Sequence, residues 1–260
     1  MGVLIFAICY FASAIGGICG IGGGVVIKPV LDALGVMDVS SISFLSGLTV
    51  LSMSVISVFR QRNNHLVELR IGSLLAVGAV AGGVIGNFLF QKVKELTAQD
   101  AFVGMVQAIV LAIVTLLTLV YSAFFRNRLP SYHVKNGVAC VFIGGSMGVL
   151  SSFLGIGGGP INLAILFFAF SMETKKAAAN SLYIIMFSQL ASFLTSLIQG
   201  TIPQFPWIYL VIMVSAGVLG GMSGSQLNRR ISSSTTDKLF SGLLCVIILI
   251  CLYNAVRFAQ

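Results

Sequence analysis

Apolar residues fall in ten blocks along this chain, at 3–19, 24–37, 41–59, 71–91, 101–125, 135–154, 159–172, 177–199, 207–228 and 239–258. None alternates apolar and polar positions with a period of two, and a lipid-exposed strand needs a closed barrel to pair its backbone. All ten therefore read as helices. Crossing a bilayer takes about 20 residues of helix, which eight blocks approach or exceed, whereas 24–37 and 159–172 hold 14 residues each. Each short block is parted from the one before it only by Gly-Ile-Gly-Gly-Gly. The expectation is a helix that enters the membrane, breaks at the glycines, and continues or returns as a half-helix. Depending on how broken pairs are counted, the chain makes about seven to ten spans.

The two breaks belong to an internal duplication. Gly20-Ile21-Gly22-Gly23-Gly24 recurs 135 residues later as Gly155-Ile156-Gly157-Gly158-Gly159. The same offset carries Met37-Asp38 onto Met172-Glu173, Ser46 onto Ser181 and Ser57 onto Ser192. Gly82-Gly83-x-x-Gly86 matches Gly220-Gly221-x-x-Gly224 at an offset of 138. The chain thus reads as a first membrane repeat over 1–125, a junction over 126–135 and a second membrane repeat over 136–260. Five segments per repeat is an odd number, which turns the second copy over. Charge agrees with inversion. Loop 60–70 carries Arg60, Arg62 and Arg70, the junction Arg126, Arg128 and Lys135, and loop 229–238 Arg229, Arg230 and Lys238. The repeat partner of 60–70, at 200–206, carries no charge. Inversion places the three basic loops on one side, which the positive-inside rule makes cytoplasmic. Lys92 and Lys94 fall on the other side, mixed with Glu95 and Asp100.

Composition narrows the class. Apolar residues make up 57% of the chain and charged residues 8%, against about 25% charged in soluble domains. That excludes an ordinary soluble domain, a disordered chain and a collagen-like repeat, and leaves a multi-pass membrane protein, expected in the plasma membrane. A net charge of +8 raises nucleic acid as a partner, but the basic residues sit in short clusters between apolar blocks, with no basic stripe or stacking platform. No nucleic-acid partner is expected. The five cysteines (Cys9, Cys19, Cys140, Cys245, Cys251) show no CxxC or Cys/His spacing and lie inside apolar blocks, so they read as packing residues. Ala12-Ser13-Ala14 faintly resembles a signal-peptide cleavage site, yet no basic stretch precedes it and the apolar pattern runs on through Gly20.

Glycine runs are costly inside membrane helices. Each glycine destabilises a helix by up to about 1 kcal/mol, and unwound backbone is tolerated at membrane depth only where protein buries it or it lines a wet cavity. Paired interrupted segments in corresponding halves mark transporter binding sites. Each GIGGG also precedes a helix, with Pro160 in the favoured first turn of the second copy. Free N–H groups and a positive partial charge at two such N-termini would cradle an anion. The candidate binding glycines are Gly20, Gly22, Gly23 and Gly24, with Gly155, Gly157, Gly158 and Gly159. The competing reading is close helix crossing, which holds for Gly78, Gly82 and Gly86 and for Gly217 with Gly221. Soluble phosphate motifs do not fit: Lys28 lies four residues past Gly24, and a Rossmann turn needs flanking strands.

These residues carry a resemblance. The glycine break after the first block with Pro29 beyond it, the stretch Gly148-Val149-Leu150-Ser151-Ser152-Phe153-Leu154-Gly155-Ile156-Gly157-Gly158-Gly159-Pro160, and the two-copy layout resemble the TauE/SafE family over the whole chain. The resemblance implies a membrane transporter for sulfur-containing anions such as sulfite, sulfoacetate and related sulfonates, mostly an exporter.

Few polar residues lie inside the blocks. Lys28 and Asp32, the only charged residues not in a connection or at a block end, sit i, i+4 on the first half-helix. Intramembrane charge is a functional hypothesis by default: Lys28 attracts the anion and Asp32 is the coupling candidate. A self-satisfying ion pair, or snorkelling of Lys28, is the alternative, and the repeat partners Leu163 and Phe167 show that the fold does not demand charge there. In 177–199, Ser181, Ser188, Gln189, Ser192, Thr195, Ser196 and Gln199 fall within an arc of about 120°, and Ser43, Ser46, Ser54 and Ser57 cluster similarly in the first copy. Such stripes line a path or bond neighbouring helices. Ser46, Ser181, Gln189 and Asn162 join the candidate substrate-binding residues, with Asn180 beside them. Trp207 and Tyr209, near Pro203 and Pro206, read as interface anchors.

Enzyme readings fail. His65 and His133 lie in connections, and no HExxH, GxSxG or paired intramembrane carboxylates occur. The reading is an all-α, inverted-repeat secondary transporter for small sulfur-containing anions, exporting by alternating access, with no cofactor and no metal. An anion channel and a membrane sensor or scaffold subunit are the alternatives. The expected partners are a small anion and the lipid bilayer, with a homodimer left open.

Overall fold

The computed structural model describes residues 1–61, 66–97, 100–126 and 132–259. Arg62, His65 and Arg128, named above as loop residues, lie outside them. The described residues form ten α-helices and no strand: α1 (Gly2–Cys19), α2 (Gly24–Leu34), α3 (Val39–Gln61), α4 (Leu69–Thr97), α5 (Asp100–Val120), α6 (Gly137–Leu154), α7 (Gly159–Phe170), α8 (Thr174–Gln199), α9 (Trp207–Arg230) and α10 (Ser233–Ala259). A π-helical turn, Tyr121–Phe125, extends α5. Each apolar block is one helix, and the differences are at the ends. α2 stops at Leu34 because Gly35 takes a left-handed φ of 63° and caps it. α10 begins six residues before its apolar block, where the Ser232 hydroxyl accepts the Thr235 N–H at 3.1 Å. Polar turns at a helix end continue the helix without registering as apolar.

Eight helices are long and apolar enough to cross a membrane. The exceptions are α2, with 11 residues, and α7, with 12. At about 1.5 Å per residue they reach little more than half of a hydrocarbon core about 30 Å thick.

The packing pairs exchange when the two halves are swapped. α1 packs on α9 as α6 packs on α4, and α3 on α9 as α8 on α4, while α5 packs on α10 and α3 on α8. Lipid tails are as apolar as leucine, so close backbone approach, not exclusion of water, holds such pairs. Gly78, Gly82 and Gly86 abut the carbonyls of Val141, Gly145 and Val149 on α6. Gly220 and Gly224 abut those of Tyr10 and Ala14 on α1, and Gly217 and Gly221 abut Thr49 and Met53 on α3. The four-residue glycine spacing serves helix crossing, as predicted.

Contacts between connections sort them into two groups. At one end of the bundle Ser41 donates to Gln204 O at 3.3 Å, Ser40 meets Asp100 at 3.3 Å, and Arg257 on α10 donates to the carbonyl of Asp32 at 2.7 Å. At the other end Arg126 pairs with Asp237 at 2.9 Å and donates to Thr174 at 2.8 Å, Asn180 donates to Leu66 O at 3.1 Å, and Arg229 donates to Arg60 O. Cys9, Cys19, Cys140 and Cys251 are buried and Cys245 is exposed, all as free thiols. Trp207 is exposed at the start of α9, edge-on to Phe205.

Candidate functional site

Both glycine runs turn the chain back on itself. Gly20 and Gly22 adopt φ of 79° and 76°, which glycine alone takes without steric cost. Gly23 then lies so close to α1 that a β-carbon there would sit 2.8 Å from Ser13 Oγ. α2 returns alongside α1, and Ile27 and Leu31 join Ile5, Cys9 and Ala12 in one apolar cluster. In the second copy Gly155, Gly157, Gly158 and Gly159 all have positive φ, from 54° to 99°. The end of α7 comes back to the start of α6, where Tyr132 and Val134 donate to the carbonyls of Phe168 and Ala169 at 2.8 and 3.0 Å. Of the two outcomes open in the sequence, the half-helices return.

The two turns meet. A β-carbon on Gly24 would lie 2.5 Å from Ile156 O, and one on Gly22 would lie 3.6 Å from Gly157 O. Their surroundings are Val50 and Ile185, halfway along α3 and α8. Neither half-helix has a side-chain cap at its N-terminus. Beside them the hydroxyls of Ser13, Ser46 and Ser181, and both amide atoms of Asn162, are buried and find no hydrogen-bond partner among the described residues. Asn162, 1% exposed, lies against Gly158 at the N-terminus of α7. A buried amide with neither end satisfied costs several kcal/mol, so its partner has to come from elsewhere.

A narrow crevice with about 50 Å³ of free space leads from the 200–206 end of the bundle down to Gly155. Its walls carry Ser43, Asn87, Ser152, Gln189, Ser192 and Ser196, with Lys94 near the mouth. Asn87 donates to Ser192 Oγ and Ser196 Oγ at 3.1 and 2.9 Å, and Gln189 donates to Ser151 Oγ at 3.0 Å. The Ser43 and Ser152 hydroxyls, Asn87 Oδ1 and the Thr201 hydroxyl have no partner among the described residues. Gln189, Ser192 and Ser196 from the α8 stripe thus face the crevice, while Ser188 bonds Ser151, Thr195 bonds Ala191 O, and Gln199 is exposed.

The α3 stripe is divided. Ser43 faces the crevice, whereas Ser54 donates to Leu51 O of its own helix at 2.9 Å and Ser57 bonds α9 at Gly221 O, 3.4 Å away. Asn180 is structural, bridging to Leu66 and Glu68. Lys28 and Asp32 form a buried ion pair at 2.9 Å, in a separate small cavity with Gln107, Cys251 and Asn254. Asn87 escaped the sequence reading, although it lies one turn past Gly83, whose face packs against Ser188 O. His133 reaches Ser171 Oγ at 3.4 Å, outside the crevice.

Eight apolar helices enclosing two interrupted ones, with a polar crevice ending where the interruptions cross, are the architecture of a membrane transporter. The family described as Sulfite exporter TauE/SafE matches residues 5–250. The chain belongs to that family. It is 24% identical to the probable membrane transporter protein YunE of Bacillus subtilis, over 94% of this chain and 95% of the relative. It is 23% identical to a probable membrane transporter protein of Methanocaldococcus jannaschii, over 94% and 92%. No solved structure matches.

Proposed function

We propose that this transporter exports small sulfur-containing anions, sulfite, sulfoacetate or related sulfonates, across the plasma membrane by alternating access. The observation that carries the reading is the crossing of the two glycine turns, which holds two uncapped helix N-termini and the unpartnered Asn162 amide, with Gly155 of the second turn lining the crevice. Each N-terminus offers free N–H groups and about half a positive charge. An oxyanion accepts hydrogen bonds from N–H, amide and hydroxyl donors together. Gly20, Gly22, Gly23, Gly24, Gly155, Gly157, Gly158 and Gly159 shape the cradle. Asn162, Ser46, Ser181 and Gln189 supply side-chain donors, and Lys28 supplies charge from behind α2. The family's description as sulfite exporters favours sulfite among anions.

The halves, 1–125 and 136–260 about the junction 126–135, are read as inverted. A returning α1–α2 pair leaves three crossings in each half, and an odd number inverts the second. The exchange of packing pairs supports this, as does the grouping of Arg60, Arg126, Arg229 and Asp237 at one end. That end is cytoplasmic by the positive-inside rule, and the crevice opens to the opposite side. In the repeat-related region α9 is tied to α1, with Asn228 donating to Ile18 O at 2.5 Å. Opening that region while closing the crevice would move the anion.

Reconstituted in liposomes, the protein is expected to move at least one of sulfite, sulfoacetate, thiosulfate and sulfate with saturable kinetics. Gln189→Leu is expected to weaken the apparent affinity about tenfold, the loss of one hydrogen bond to a charged group at about 1.4 kcal/mol. If none of the four anions binds or moves, the anion reading fails, and non-saturating flux would make the protein a channel. For topology, Gln204→Cys on a cysteine-free background is expected to react with an impermeant maleimide in intact cells, and Lys238→Cys is not. Labelling of both from the same side contradicts inversion.

A further inference from the structure

The Lys28–Asp32 pair stands apart from the crevice, in surroundings that hold several unpartnered acceptors. Lys28, Asp32, Gln107, Leu154, Cys251 and Asn254 enclose a small cavity with room for one water molecule at most. Gln107 commits its amide N–H to Phe153 O at 2.7 Å, and Asn254 commits its own to Pro29 O at 2.8 Å. The oxygen of each side chain is therefore left as an acceptor. These two oxygens and Asp32 Oδ1 are buried and have no partner among the described residues. Lys28 is held on the other carboxylate oxygen, at 2.9 Å.

We propose that this cavity is the proton-coupling site of transport, an inference that rests on the anion-transport reading above. Asp32 Oδ1 takes up one proton from solvent, forming an O–H bond, and becomes a donor to an amide oxygen of Gln107 or Asn254. The proton leaves to the opposite compartment when the site changes sides. Protonation takes the charge of the pair from zero to plus one, so the freed ammonium of Lys28 attracts an anion to the adjoining glycine crossing. Proton and anion then favour each other's binding reciprocally and travel in the same direction, so that export runs down the outward anion gradient and carries protons out with it. Gln107 supplies the mechanical link, because the carbonyl it holds lies two residues before Gly155.

The charged and titratable groups facing Asp32 are Lys28 on its own helix and Cys251 and Arg257 on α10. α1 brings no charged residue, α3 carries only Arg60, and Asp100 on α5 lies two turns from Gln107. A proton suits the site better than an alkali cation. The space is small, only three oxygens are free, and an ammonium already occupies the carboxylate.

The test uses liposomes holding a pH-sensitive dye, with sulfite and with thiosulfate, whose charge is constant near neutral pH. Influx of either anion is expected to carry protons inward, to be accelerated by an inward proton gradient and to ignore a sodium gradient. Apparent affinity is expected to rise by up to about tenfold per unit fall in pH, the limit for one linked proton. Asp32→Asn alone strands Lys28, so the neutral double variant Lys28→Gln/Asp32→Asn is the more informative protein. It is expected to move the anions more slowly and at a rate that no longer varies with pH. Flux that follows sodium, or a double variant that keeps the proton response, overturns the coupling site while leaving anion transport standing. If neither anion moves in the wild type, the transport reading falls and takes the coupling site with it.

Discussion

Valine at Gly158 is expected to lower anion flux by at least about 100-fold while the protein still inserts and folds. Gly158 has a φ of 99°, where any residue with a β-carbon is strained by about 1–3 kcal/mol. A valine there also pushes into the Asn162 amide and approaches Ile185 Cγ1 to 3.1 Å. Its methyl groups fill the space before the N-terminus of α7, where the anion would accept its hydrogen bonds. Two further substitutions separate backbone strain from obstruction. Gly200→Ala carries the strain of a φ of 65° with nothing within 4 Å, and is expected to leave flux unchanged. Gly23→Val carries no positive φ but meets Ser13 Cα at 2.9 Å, and is expected to lose flux as Gly158→Val does. The measurements are sulfite flux at matched protein content and melting temperature in detergent. Wild-type flux in Gly158→Val would reduce the glycine turns to packing devices.

Gly82→Leu is expected to destabilise the fold by about 3 kcal/mol or more, at the upper end of overpacking effects. A β-carbon at Gly82 runs into Gly145 O and comes within 2.9 Å of Val149 N. Both are backbone atoms of α6, and backbone cannot rotate away as a side-chain tip can. α4 and α6 must separate, which breaks the neighbouring contacts of Gly78 and Gly86 as well. Gly242→Ala is the matched control. Nothing lies within 4 Å of that position, so the substitution is expected to be neutral or to gain up to about 1 kcal/mol from helix propensity. Unfolding of the purified protein in mixed detergent measures both, and equal stability of Gly82→Leu and wild type would overturn the close-packed crossing.

Much of the candidate site was legible at the level of residue type and far less at the level of partners. The doubled GIGGG marked the place where the half-helices cross, because only glycine takes several positive φ angles within five residues without steric cost. Gln189, Ser192 and Ser196 were legible as a stripe on α8. On α3, Ser43 also faces the crevice whereas Ser54 and Ser57 bond carbonyls. That division was not legible, since a hydroxyl that bonds a carbonyl and one that faces a crevice look alike in sequence. Asn87 and Ser152 form no polar stripe and sit on helices whose glycines announce packing. Lys28 and Asp32 were recognisable as a pair from their i, i+4 spacing. Their enclosure by Gln107 and Asn254 was not recognisable, since those residues come from helices 75 or more positions away.

The sequence by itself determined the ten helices, the glycine breaks between them and the membrane class. Transfer of a segment into lipid depends on that segment's own side chains, and glycine's conformational freedom is local. Tertiary structure alone decided that the half-helices return, which serines of the two polar stripes face the crevice and which bond carbonyls, and that the buried ion pair lies in a cavity separate from the crevice. Those outcomes depend on which surfaces meet across the bundle. With hydrocarbon on the outside, the meeting is chosen by backbone fit between distant helices, and hydropathy along the chain does not encode it.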